Sequence, residues 1–242
     1  MRTLFLRAWI RASLCYESGM PVTFPGESRE YRIARDRLLQ LELELRRSTE
    51  AVARARRALP PGGVVPSGYV FERVGPDEAP RRCELQDLFV GHDTLAIYSF
   101  MYGPERAEAC PMCTGMLDGL DAVAGHIEQR LHLYVVCESP LARLQAYAEE
   151  RGWRRLRLLS ATDSRYNRDY HGKTAKGKDS TMLNVFRRDG DAVRHFWGSE
   201  MWYAQSDPGQ DDRGLDVINP IFNMLDLTPE GRGDFYTKLR YP

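Results

Sequence analysis

The chain has 242 residues, 43% of them hydrophobic, which is enough to bury a core without metal or disulfide staples and suits one compact domain with appendages. Lysine plus arginine equal aspartate plus glutamate at 34 each, so no global field draws phosphate backbones or anionic lipid, and nucleic acid is not an expected partner. No apolar run reaches the length of about 18 residues that a membrane helix needs, because Arg7 and Arg11 interrupt the most hydrophobic stretch, so no membrane association is expected.

Residues 1–27 read as a variable or disordered N-terminal extension. Met1 to Gly19 lacks the unbroken apolar region and small-residue cleavage site of a secretory signal, and Met20 is an alternative start. Residues 28–59 read as an N-terminal helix. Ser28 is its cap, and Tyr31, Ala34, Leu38, Leu41, Leu45, Val52 and Ala55 recur at helical spacing. Pro60-Pro61-Gly62-Gly63 ends it, since proline cannot continue the hydrogen-bond ladder. Arg54, Arg56 and Arg57 read as a solvated helix face rather than a contact for an acidic partner.

Residues 60–242 read as an α/β domain built on a central mixed sheet. Tyr69-Val-Phe-Glu, a turn at Gly75-Pro76-Asp77 and Cys83-Glu-Leu suggest a small hairpin. Thr94 to Met101 is a nearly continuous apolar run, as in a strand covered on both faces. A helix from Pro111 to about Arg130 carries Met116, Leu120, Val123 and Ile127 at spacings of three and four, and Leu131 to Cys137 is the next strand. A second helix takes Ser139 as cap and Pro140 as its first residue and stops at Gly152. Tyr166 to Asp179 and Gln205 to Gly214 read as long loops. Between them, Met182 to Arg187 and Val193 to Trp197 form an antiparallel hairpin around Asp189-Gly190, a pair that tolerates positive φ.

Cys110 and Cys113, in Ala109-Cys-Pro-Met-Cys-Thr, follow a buried strand and open a helix. Unpaired amides and aligned peptide dipoles at a helix N-terminus favour a thiolate, so Cys110 is the candidate nucleophile. Cys113, one turn further in, is placed to attack a mixed disulfide on Cys110 and release the reduced substrate. Pro111 and Met112 lie between them as candidate substrate contacts, Pro111 stiffening the turn and Met112 presenting a polarisable apolar surface. The same Cys-x-x-Cys spacing is half of a zinc site, but no second cysteine or histidine pair completes one.

The chain holds five cysteines, an odd number with only this pair close in sequence, which fits a reducing, cytoplasmic setting better than an extracellular disulfide framework. Cys83 and Cys137 read as small buried hydrophobes and Cys15 as incidental. His171 and His195 are given no catalytic role. Asp118 and Asp121 read as solvated helical carboxylates, with proton relay to Cys113 as the alternative. Phe196, Trp197, Trp202 and Tyr203 suit a core edge or a homodimer interface as well as a recognition wall.

From about Tyr31 to Asp234 the sequence resembles the DUF899 family of the thioredoxin-like superfamily. The resemblance is carried by Leu59-Pro-Pro-Gly-Gly, Gly68-Tyr-Val-Phe-Glu, Asp93-Thr-Leu, Phe100-Met-Tyr-Gly-Pro, Cys110-Pro-Met-Cys, Arg194-His-Phe-Trp and Asp226-Leu-Thr-Pro-Glu-Gly-Arg. It implies a thioredoxin-like three-layer fold, with the family's cysteine pair at Cys110 and Cys113. The segment Ser180-Thr181-Met182 stands where thioredoxins proper place a cis-proline, and has none. Relative to peroxiredoxins, Pro104 is one residue too close to the cysteine and Ala107 replaces the activating hydroxyl.

The leading expectation is a thiol-disulfide oxidoreductase without an organic cofactor, acting on a disulfide-containing protein or a small thiol substrate. The alternatives are Cu(I) or zinc binding by the two thiols with a histidine such as His171 or His195, and a non-enzymatic binding module.

Overall fold

A computed structural model describes residues 22–75 and 79–241; the expected N-terminal extension to residue 21, with Cys15, and most of the Gly75-Pro76-Asp77 turn lie outside them. The chain divides into two compact units, Met1–Ala58 and Leu59–Pro242.

Among its described residues the first unit holds one helix, α1, Arg29–Arg57. Ser28 caps it as expected, its hydroxyl accepting the Tyr31 amide at 3.1 Å.

The second unit is built on a seven-stranded mixed sheet in the order β2-β1-β5-β4-β3-β6-β7. Its strands are β1 Val70–Val74, β2 Pro80–Glu84, β3 Thr94–Ser99, β4 His132–Cys137, β5 Arg157–Ser160, β6 Leu183–Asp189 and β7 Ala192–Gly198. The β3, β4 and β5 neighbours run parallel, while β6 and β7 form an antiparallel hairpin on the other side of β3. This is the central mixed sheet expected of the α/β domain. Two helices of this unit, α2 Pro111–Ile127 and α3 Leu141–Arg151, are the connections between the parallel strands.

Alternation along β3 divides the core into two layers. Ala96 and Tyr98 join Met116, Leu117 and Leu120 of α2 and Leu144 and Tyr147 of α3. Leu95 and Ile97 face the opposite way, among Phe71, Val136, Leu159 and Phe186, where Leu85, Leu88 and Tyr166 complete the cover.

Several local expectations are corrected. Ser139 does not cap α3: its buried hydroxyl donates to the Tyr102 carbonyl, and Pro140 stands in the cap position with the helix starting at Leu141. The helix does stop at Gly152, where φ of +75° suits glycine. Tyr166 to Asp179 is not all loop, since Tyr166–Asp169 forms a short helix, α4, whose Tyr166 is fully buried against Phe71 and Tyr170. Strand β5 and a helix near the C-terminus, α5 Pro220–Leu225, have no counterpart in the sequence reading. Among the described residues no helix is long and apolar enough to cross a membrane.

Candidate active site

Because β3 and β4 are parallel with α2 between them, the N-terminus of α2 lies at the carboxyl end of the sheet, where α/β folds place their ligands. Cys110 is the N-cap of α2, with extended backbone angles, and its amide donates to the Met101 carbonyl at 3.1 Å. Pro111 occupies the first helical position, where a missing N–H costs nothing. Thr114 pins this turn to the rest of the domain: its hydroxyl donates to the Cys110 carbonyl at 3.0 Å and lies 2.8 Å from the Tyr147 hydroxyl of α3.

Both thiols are free and buried. Hydrogen bonding from the Cys113 thiol, from the Cys113 and Met112 amides and from the Tyr236 hydroxyl outweighs burial and lowers the Cys110 pKa to about 6. The same hydrogen bond, together with burial and the Cys110 charge, holds Cys113 well above the ordinary thiol range. Behind Cys113, the hydroxyl of the fully buried Tyr98 lies near the sulfur and partly offsets the upward shift of Cys113, while Tyr98 is itself kept protonated, by burial first and by the neighbouring sulfur next. The Tyr98 hydroxyl, the two sulfurs and the Tyr236 hydroxyl thus lie close enough to shift one another's protonation.

A cleft of about 410 Å³ opens over the dithiol. Met101, Met112, Met116, Leu215, Phe222 and Phe235 give it apolar walls. Thr181 also lines it; its hydroxyl is buried near that of Tyr98 yet makes no hydrogen bond of ordinary geometry. The segment bearing Phe235 and Tyr236 can lie close because α2 carries glycine one turn apart. A β-carbon at Gly115 would meet Ile221 Cδ1 at 2.8 Å and Thr237 Cγ2 at 3.3 Å, and one at Gly119 would meet Pro220 Cγ at 3.1 Å. Arg232 fastens the same segment, donating to Asp226 at 2.9 Å and to Asp216 at 2.7 Å.

The model of DUF899, described as a bacterial protein of unknown function, matches residues 21–241. The chain belongs to the DUF899 family. No curated protein matches it. Among solved structures, it is similar to the peroxiredoxin-like protein from Aquifex aeolicus, with 14% identity, 58% of this chain and 75% of that one covered, and a TM-score of 0.41. Reduced 2-Cys peroxiredoxin from Plasmodium vivax gives 16% identity, coverage of 67% and 96%, and a TM-score of 0.44. Peroxidoxin BcpB from Mycobacterium tuberculosis gives 18% identity, coverage of 66% and 94%, and a TM-score of 0.42. Similarity at this level bears on neither substrate nor mechanism.

In this DUF899 member the sequence-derived candidates separate cleanly. Cys110, Met112 and Cys113 line the cleft, whereas Pro111 does not and contributes through the helix start. Asp118 and Asp121 are neither solvated relays nor lining residues. Asp118 accepts from Arg151 and from Trp153 Nε1 at 2.8 Å, and buried Asp121 accepts the amides of Arg154, Arg155 and Leu156 at 3.0, 2.7 and 3.0 Å. His195 sits 2.9 Å from Asn184 Oδ1, and neither it nor His171 lines the cleft. Among the described residues no group of three or more His, Cys, Asp or Glu is placed to hold a metal ion. Cys83 and Cys137 are buried, and burial pushes the Cys137 thiol up to about 12. Of the four aromatic residues near β7, only Trp202 lines the cleft.

Pro104 and Ala107 are absent from the cleft walls, so the loop before Cys110 supplies no activating side chain from those positions. The residues missed in the sequence are Tyr98, Thr181, Arg232 and Tyr236. Tyr98 had a signal, since alternation along β3 puts it on the same face as the helix that carries the dithiol.

Proposed function

We propose that this protein is a thiol-disulfide oxidoreductase in which Cys110 is the nucleophile and Cys113 the resolving thiol. The observation that carries this reading is the placement of the pair: Cys110 caps α2 and Cys113 lies one turn further in, both free and lining the cleft, with the Cys110 pKa lowered to about 6 and that of Cys113 raised well above the thiol range.

In the first step the Cys110 thiolate attacks a substrate disulfide, forms the mixed disulfide and expels one substrate thiolate, which takes a proton from solvent. Charge on Cys110 disappears at that moment, and with it the largest influence holding Cys113 protonated. Cys113 then loses its proton to water, with the Tyr98 hydroxyl left to stabilise the thiolate. Its attack on Cys110 closes the intramolecular disulfide and releases the second substrate thiolate. An external dithiol restores the reduced pair. The substrate class is a disulfide, borne by a small molecule or by an extended protein segment able to enter the cleft.

Thiol titration before and after mild oxidation, with Cys110→Ser and Cys113→Ser variants, tests the reading. The wild type is expected to lose two thiols and to yield a peptide linking Cys110 to Cys113, while Cys113→Ser accumulates a mixed disulfide on Cys110. A wild type that forms no such bond overturns it.

A further inference from the structure

Helix α1 is 29 residues long, and none of them is buried. Yet it is rich in leucine, with Leu41 and Leu45 exposed at 61% and 67%. Water contact on that scale opposes the hydrophobic effect that ordinarily stabilises a long helix.

The apolar positions recur with a stricter period than a half-buried surface helix requires. Tyr31, Ala34, Leu38, Leu41, Leu45, Val52 and Ala55 keep intervals of three and four, with the polar Ser48 at the one remaining seam position. A period of 3.5 residues, sustained over four heptads, describes a coiled-coil seam whose a and d positions stay aligned with a second helix. All eight positions are exposed.

Charge selects the occupant. With Tyr31 at position a, the flanking e and g positions include Glu30, Arg35, Arg37, Glu42 and Glu44. In a parallel pair, position g of one helix faces position e five residues further along the other. Glu30 of one helix then faces Arg35 of the other, and Arg37 faces Glu42; by symmetry each pair forms twice. Glu44 faces Thr49, and Ala51 faces Arg56, so no like charges meet. An antiparallel pairing that overlaps all eight seam positions instead sets Glu42 against Glu42 and Glu44 against Glu44. Sliding it by one heptad relieves that repulsion but leaves Val52 and Ala55 without partners. Within a single chain Arg35 reaches Glu42 along the helix at 3.7 Å, a contact that the pairing across helices replaces.

We propose that α1 is a homodimerisation element: the seam from Tyr31 to Ala55 binds the same seam of a second copy in a parallel, in-register two-stranded coiled coil. Self-complementary charge on the two flanks identifies a second copy of this chain, rather than an unrelated protein, as the partner. This assignment is independent of the dithiol chemistry.

Sedimentation equilibrium of the full chain is the direct test, with a mass of twice 27.8 kDa expected. The double substitution Leu41→Glu, Leu45→Glu should give the single-chain mass, and Leu39→Glu, off the seam, should leave the dimer intact. Glu42→Arg should weaken association about tenfold, by turning two attractive pairs into repulsive ones, and adding Arg37→Glu should restore it. Ser48→Cys should yield, on oxidation, a peptide joining residue 48 of both copies. A wild type of single-chain mass at tens of micromolar, a charge reversal without rescue, or a residue-48 thiol that fails to link to its own copy would each overturn the proposal.

Discussion

The hydroxyl of Tyr236 lies near the sulfur of Cys110 and favours its thiolate, linking the last stretch of the chain to the first turn of α2. Tyr236 is 57% exposed, so this contact contributes little burial and acts mainly on the charge state of the thiol. Tyr236→Phe removes one of the donors that favour the thiolate. The midpoint for iodoacetamide alkylation of Cys110, expected at about pH 6 in the parent, should move upward, while the thermal midpoint should change by less than about 2 °C. An unshifted alkylation midpoint would show that the hydroxyl does not stabilise the thiolate.

Opposite shifts at the two cysteines give the reduced protein a defined pH dependence. An unfolded thiol titrates at about 8.5. Cys110 is depressed to about 6 when folded, so its contribution is complete above the unfolded value and is lost as pH falls through 6. Cys113 is raised, so its neutral form favours the fold below about pH 8.5, and that benefit declines once the unfolded chain ionises. Stability of the reduced form should therefore climb from pH 6 to about 8.5, with a slope of at most about 1.4 kcal/mol per pH unit from this pair, and turn down above. Urea denaturation across that range measures it. Cys110→Ser should abolish the climb relative to wild type; a variant retaining the full slope would refute the assignment.

The placement of Cys110 and Cys113 at the start of α2 was legible because its signals are local: an apolar strand, a cysteine, a proline at the first helical position and a 3.6-residue pattern after it. The β6–β7 hairpin was legible for the same reason, Asp189-Gly190 specifying the turn and Gly190 taking φ of +60°. Strand β5 was not, since four residues with Arg157 at one end carry no detectable period. Ser139 misled because a serine before Pro140 fits a helix cap equally well, and only the buried Tyr102 carbonyl decides where its hydroxyl goes. Tyr236 comes near Cys110, and Thr181 lines the cleft over the two thiols, through tertiary contacts that no spacing within the sequence records.

Thr181 offers a separation of structural from functional effects. Its hydroxyl is buried at the cleft without a hydrogen bond of ordinary geometry, a situation that costs stability in the unliganded protein. Valine keeps the shape and removes the unsatisfied group, so Thr181→Val should leave stability unchanged or raise it by up to about 1–3 kcal/mol. If the hydroxyl meets substrate, disulfide-exchange turnover should fall while Cys110 alkylation stays as in wild type. A loss of stability on denaturation would mean that Thr181 already has a partner in the folded protein.

Arg232 ties the chemistry to the C-terminal segment. It is only 11% exposed and donates to Asp226 and Asp216, while Asp226 also takes Arg213 at 2.7 Å. Hydrogen bonds to charged partners contribute about 1.5–3 kcal/mol each, less where water competes, so Arg232→Met should destabilise the protein by about 1–3 kcal/mol. Without that tie the segment carrying Phe235 and Tyr236 is free to leave the cleft mouth. Two effects on Cys110 then oppose each other: greater access speeds alkylation at high pH, and loss of the Tyr236 donor raises the pH at which it sets in. The expected signature is a curve with a higher plateau and a higher midpoint than wild type. A curve superimposable on wild type, in a variant that is measurably less stable, would show that the segment holds its place over the dithiol without Arg232.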